Sequence, residues 1–121
     1  MANIIGIDVS HHNGAMNWAK ATSAGAKFAF IRAGSINAIN GLLYTDYKFT
    51  ENATLAPDFL PIGFYWFFRS QWNAITQANY FCDLMQDKRA LLPPVLDVET
   101  NDTGLSQTLF ATRIKAALDT I

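Results

Sequence analysis

Short apolar runs alternate with longer stretches of helical periodicity, and the alternation occurs four times along the chain. Residues 4–9, 27–33, 61–68 and 94–98 are rich in Ile, Val and Phe and have strand length. Residues 17–24, 45–56, 74–86 and 106–121 carry the intervening helical patterns. Gly25 follows the first helix as a stop residue. Ser106 opens the last as an N-cap, after which Leu109, Phe110, Ile114, Ala117 and Leu118 share one side. Strands apolar on both faces, joined by helix-length crossovers, predict an α/β fold with a parallel sheet and right-handed βαβ connections. Two architectures compete: an open doubly wound sheet, or part of a TIM-like (βα) barrel, of which about four βα units would be half.

In either architecture ligands gather beyond the carboxyl ends of the strands. The first strand ends in Asp8-Val9-Ser10, the second in Arg32, the third in Tyr65-Trp66-Phe67 and the fourth in Asp97-Val98-Glu99. Three carboxylates and an aromatic cluster are therefore expected on one rim. Asp97 and Glu99 are two apart on extended backbone, so they leave the same face with Cα atoms about 6.6 Å apart. Like charge and aromatic shielding should raise the proton affinity of one carboxyl while the other stays ionised. That division suits acid-assisted cleavage of an acetal, in which one group protonates the leaving oxygen while another steadies charge at the anomeric carbon. The same triplet also occurs as a helix cap or a solvated loop. A metal site is a rival use of clustered acids, with His11 or His12 as ligand, although adjacent histidines point apart in extended backbone and at most one would join. Of the run from Phe64 to Phe68, two or three side chains belong to the core, whereas Tyr65 or Trp66 has a polar tip and a flat face on which a sugar can stack. Arg32 either orients a carboxylate or forms an ion pair.

Composition narrows the classes. The 121 residues include 9 Lys and Arg against 10 Asp and Glu, a net charge of −1, which argues against a nucleic-acid partner. With 50% hydrophobic and 16% charged residues, the chain can build a core. No apolar run reaches the roughly 18 residues of a membrane span. The stretch from Met1 to Ile5 has no basic leader pattern, so export through another route is expected. Cys82 is a lone cysteine, which rules out an internal disulfide and is expected to be a buried thiol. No repeat, low-complexity segment or linker divides the chain, so residues 1–121 read as one domain.

Taken in order, the motifs resemble those of the glycoside hydrolase family 25 muramidases, the Chalaropsis-type lysozymes of bacteria, fungi and phage endolysins. Gly6-Ile7-Asp8-Val9-Ser10-His11-His12-Asn13-Gly14 resembles the family's opening G-[IV]-D-[VI]-S-x-x-[QN]-G. Asn17-Trp18 stands at its Asp-Trp, and residues 27–33 are similar to its second strand. Asp46, Phe49 and Asn52 fit D-x-x-F-x-x-N; Gly63-Phe64-Tyr65-Trp66-Phe67 fits G-x-Y-H-F; Gln77, Ala78 and Phe81 fit Q-A-x-x-F; and residues 94–99 match the D-x-E strand.

The resemblance implies hydrolysis of the β-1,4 bond between N-acetylmuramic acid and N-acetylglucosamine, with peptidoglycan strands as partner and action at the bacterial cell wall, either phage-encoded or exported without a leader. It implies Glu99 as general acid with Asp97 and Asp8 beside it, no metal and no organic cofactor. Tyr65, Trp66, Asn13 and Arg32 are the expected substrate contacts. Three departures stand out. Trp66 replaces the usual histidine, Asp58-Phe59 replaces Ala-Gly, and the chain stops after its fourth helix where family members continue. The expectation is a domain truncated at the C-terminus, a half barrel whose edges need a second copy or a complementing C-terminal fragment. The alternative function is a catalytically incomplete unit that binds glycan or serves in assembly. A flavodoxin-like nucleotide module lacks the Gly-rich loop it would need after the first strand.

Overall fold

The computed structural model describes residues 3–121; Met1 and Ala2, part of the stretch read for a leader, lie outside the described residues. Four parallel strands carry the fold: β1 (Gly6–Val9), β2 (Phe28–Ile36), β4 (Ile62–Phe67) and β5 (Val95–Asp97), in the spatial order β1-β2-β4-β5. Helices α1 (Trp18–Ser23), α2 (Phe49–Leu55), α3 (Ala74–Met85) and α4 (Gln107–Thr120) lie between and after them. The sheet does not close: β1 and β5 end the strand path and do not pair with each other. This is the expected parallel α/β sheet of βα units with an incomplete barrel.

Helix boundaries follow capping chemistry. The Asn17 side chain accepts from the Lys20 N–H at the start of α1, Asn73 accepts from Thr76 at α3, and Ser106 accepts from Leu109 at α4. Gly25 takes φ +111° just beyond α1, a conformation that suits glycine at a helix stop.

The helix expected over 45–56 is corrected. Leu43–Thr45 forms a short antiparallel strand, β3, and α2 begins only at Phe49. The physical reason is a vacant edge. β1 pairs with β2 only from Phe28 to Ile31, so the overhanging end of β2 would expose unpaired backbone groups, and β3 pairs there with Gly34, Ser35 and Ile36. Asp46 then turns the chain, its carboxylate accepting from the Lys48 N–H at 2.9 Å.

The helix-facing side of the sheet holds the core, with Ala29, Ile31, Ile62, Phe64, Trp66 and Phe68 packed under Trp18, Phe49, Ala78 and Phe81. Phe49 meets Phe64 edge to face at 5.1 Å. On the opposite face glycines make room for rings: a Cβ on Gly6 would collide with the Phe28 ring, and one on Gly63 would stand 2.6 Å from that of Phe30. Burial is slight on α4, and at Cys82 it corrects the expectation of a buried thiol. On α4 only Ala117 is fully buried, whereas Leu109 and Leu118 are exposed, because α4 packs chiefly on α3. Cys82 is half-buried, its Sγ lying 4.0 Å from the Thr120 carbonyl.

Candidate active site

In a parallel sheet, residues in register share a face. Pairing of Asp8 with Phe30, Arg32 with Tyr65, Tyr65 with Val95, and Phe67 with Asp97 therefore sets Asp8, Arg32, Tyr65, Phe67 and Asp97 on the face away from the helices. Glu99, two residues beyond Asp97, continues that phase. Asp8, Phe30, Tyr65, Val95, Asp97 and Glu99 border an open cavity of about 380 Å³ at the carboxyl ends of the strands. Thus the structure brings together the three carboxylates and Tyr65.

The cavity perturbs its own acids. Asp97 rises from 3.8 to about 6, first because burial penalises its charge, then because Glu99 lies beside it; Arg32 pulls the other way and Asp8 adds to the rise. Asp97 therefore holds its proton to a higher pH than a free aspartate does. Tyr65 rises from 10.0 to about 12, again chiefly through burial, with Arg32 opposing and Asp8, Asp97 and Asp46 reinforcing. Its phenol stays protonated across the whole physiological range and can act as a hydrogen-bond donor.

Arg32 stands at a bulge. The register between β2 and β4 shifts between Arg32 and Gly34, so Arg32 faces Tyr65 while Gly34 faces Trp66. Its guanidinium donates to the Tyr44 hydroxyl at 2.9 Å and lies 5.0 Å from the Phe67 ring centroid. Arg69 approaches the same ring at 4.9 Å and pairs with Asp102 at 2.8 Å.

Two expected contacts lie elsewhere. Trp66 is wholly buried on the opposite face, between Tyr80 and Phe81, with Nε1 donating to Gln77 at 3.1 Å. The two-residue period of the strand that exposes Tyr65 dictates this, so Trp66 has no access to a ligand in the cavity. Asn13 does not border the cavity; its Oδ1 accepts the Ser10 N–H at 2.9 Å while Ser10 accepts from His12, closing the turn after β1.

Sequence reading missed the His11–Asp46 pair. Asp46, 1% exposed at its side chain, lies 2.6 Å from His11 Nδ1 and also accepts the His11 backbone N–H at 3.1 Å. This ties the turn after β1 to the start of α2. The only cue was the presence of both residues in separate family-like motifs 35 positions apart. Among the described residues, no three His, Cys, Asp or Glu side chains gather in an arrangement that could hold a metal ion. No helix among them is long and apolar enough to cross a membrane.

Comparison with known proteins gives a consistent picture. Residues 7–121 match the family described as Glycosyl hydrolases family 25. Lysozyme M1 of Streptomyces globisporus is 39% identical over 109 residues, which cover 85% of this chain and 35% of that protein. A family 25 glycosyl hydrolase from Bacillus anthracis superposes with a TM-score of 0.81 at 27% identity, over 95% of this chain and 53% of the other. A bacterial lysozyme from Streptomyces coelicolor does so with a TM-score of 0.77 at 34% identity, over 95% and 55%. The chain spans between 35% and 55% of the length of these relatives.

Proposed function

The chain belongs to glycosyl hydrolase family 25, and from that membership we propose that residues 1–121 form a single catalytic unit of a peptidoglycan muramidase. The bond cleaved is the β-1,4 link between N-acetylmuramic acid and N-acetylglucosamine. One observation carries the reading: Asp8, Tyr65, Asp97 and Glu99 meet around one open cavity on the carboxyl side of parallel strands.

Glu99 is the general acid. It is solvent-exposed beside the cavity, where it can deliver a proton to the departing glycosidic oxygen and later take one from water. Asp97 accepts the N–H of the substrate's acetamide and turns the acetamide carbonyl oxygen toward the anomeric carbon. That oxygen forms the new bond as the glycosidic bond breaks, and ionised Asp97 offsets the positive charge left on the cyclic intermediate. Water then opens the intermediate. Asp8 holds the sugar or this water, Tyr65 donates its phenolic hydrogen to the sugar, and Arg32 contributes from beside Tyr65. Asn13 acts indirectly by fixing the turn that follows Asp8. The chemistry calls for no metal ion or organic cofactor. A protein of this kind acts on the bacterial cell wall.

The test is digestion of purified peptidoglycan by the 121-residue chain, with mass spectrometry of the released saccharides. Fragments with muramic acid at the reducing end, lost in Glu99→Gln, are the expected result. Release that persists undiminished in Glu99→Gln would overturn the assignment of the acid.

The open sheet favours a second element. Strands β1 and β5 each end the strand path, and a closed barrel of this class has eight strands. Later strands, whether from a continuation of the same polypeptide, another copy of the chain or a separate polypeptide, would complete it. Light scattering of the purified chain alone and with the complementing half checks this; a monomer that shows full activity and does not bind the added half would refute it.

A further inference from the structure

Arg32 is a buried cation without a counter-ion. It is 8% exposed and enters no salt bridge among the described residues, whereas Arg69 pairs with Asp102 and Lys48 with Glu51. Its Nε is buried without a partner, and the one hydrogen bond its guanidinium makes in the structure goes to the neutral hydroxyl of Tyr44. Burying an unpaired charge is costly, and an arrangement that keeps one is explained when a ligand supplies the partner.

Its position says which ligand. Arg32 is in register with Tyr65 on the same face of the sheet, so it lies beside the carboxylate cavity that Tyr65 borders, without lining it. Its hydrogen-bond partner Tyr44 borders a second cavity of about 450 Å³ together with His11, Asp46, Tyr47 and Arg69, the Asp46 carboxylate there being taken up by His11. The first cavity, with three carboxylates, repels an acidic ligand group. An acidic substituent branching from a bound glycan therefore needs its counter-charge to one side of the cleavage site, and a guanidinium offers two parallel donors that match a carboxylate.

We propose that Arg32 is the receptor for a carboxylate carried by the glycan, and that the second cavity houses the substituent bearing it. The proposal rests on the muramidase reading and makes Arg32 a determinant of specificity for acidic over neutral glycans. The carboxylate has two sources: the lactyl ether group of bare muramic acid, or a stem peptide attached through it.

The experiment is titration calorimetry of the wild-type chain, Arg32→Gln and Arg32→Lys with four probes. These are the disaccharide of N-acetylglucosamine linked to N-acetylmuramic acid, its lactyl methyl ester, the same disaccharide carrying a stem peptide, and diacetylchitobiose. The disaccharide lacks the scissile bond, so binding is read without turnover. Wild type should bind the free acid roughly tenfold or more tightly than its methyl ester, the scale of one charge-assisted hydrogen bond. Arg32→Gln should bring that ratio near one, and Arg32→Lys should keep part of it. Tight binding confined to the peptide-bearing probe, and lost in Arg32→Gln, supports the proposal with the stem peptide as source. Equal wild-type affinity for all four probes overturns it, as does a ratio unchanged in Arg32→Gln. If circular dichroism shows that Arg32→Gln does not fold, the wild-type ratio and Arg32→Lys decide. Peptidoglycan digestion is run in parallel: saccharide release without acid-to-ester discrimination refutes this inference alone, whereas no release and no binding of any probe refutes the muramidase reading and this inference with it.

Discussion

Replacing Asp97 by Asn tests the electrostatics of the cavity without changing its shape. The Asp97 pKa is raised from 3.8 to about 6 in the folded chain. A carboxyl whose folded pKa lies above its unfolded value binds its proton more tightly in the native state. Its stabilising contribution is therefore full below pH 3.8, is lost as pH rises toward 6, and is absent above that. A shift of this size corresponds to about 3 kcal/mol at ~1.36 kcal/mol per pH unit for a group shut away from water. Asp97 is only half-buried, so solvent screening reduces the expected effect to about 1 kcal/mol. Asn resembles the protonated acid at every pH. Near pH 4 the variant and wild type should therefore have similar stability, and near pH 7.5 the variant should be more stable by about 1 kcal/mol. Urea unfolding at the two pH values reads this as a midpoint difference of about 0.5 M that appears only at the higher pH. A variant equally displaced from wild type at both values, or less stable at pH 7.5, would refute the reasoning.

Other consequences follow from named contacts. In the wild type kcat/KM should rise with pH through about 6 as Asp97 ionises, a limb that pH–rate profiles should show missing in the residual activity of Asp97→Asn. Gly34→Ala drives a Cβ into the Tyr44 carbonyl oxygen and to 3.0 Å from the Trp66 ring, and should lower stability by about 2 kcal/mol or more in thermal melts. Gln77 is fully buried, accepts from Trp66 Nε1 and the Arg69 N–H at 3.1 Å each, and donates to the Arg69 carbonyl at 2.9 Å. Gln77→Leu strands these groups and should cost about 2–4 kcal/mol by denaturant unfolding. Tyr65→Phe removes one half-buried hydroxyl on the cavity side, so saccharide release should fall severalfold while the melting temperature moves by no more than a few degrees.

Strand and helix placement was legible because apolar runs and caps are local signals: Asn17, Asn73 and Ser106 cap the helices that the pattern places after them. The phase of the third long run was not. With Phe64 to Phe68 all aromatic, alternation carries no sign, and Trp66 and Tyr65 look alike until Tyr65 pairs with Val95, and Phe67 with Asp97, across the sheet. Likewise β3 is three residues long and exists because β2 overhangs β1, a fact about strand lengths in space rather than about Leu43–Thr45. The carboxylates were legible because each lies within two residues of a strand's carboxyl end, where an acidic residue breaks the apolar run. The unpaired state of Arg32 was not, since it is defined by which acids stay away.

The pairing pattern also bears on how the chain acquires its shape. Gly6 pairs with Phe28, Ala29 with Ile62 and Tyr65 with Val95, so every parallel pair joins a strand to the next parallel strand made. No strand waits for a partner more than one crossover away. The sheet can zip in the order of synthesis, with the Phe28 and Phe30 rings settling over Gly6 and Gly63 as each neighbour arrives. On a ribosome β1 and β2 would be docked before β5 emerges, and the carboxylate cavity, which draws on both β1 and β5, would form only after every other parallel strand is in place.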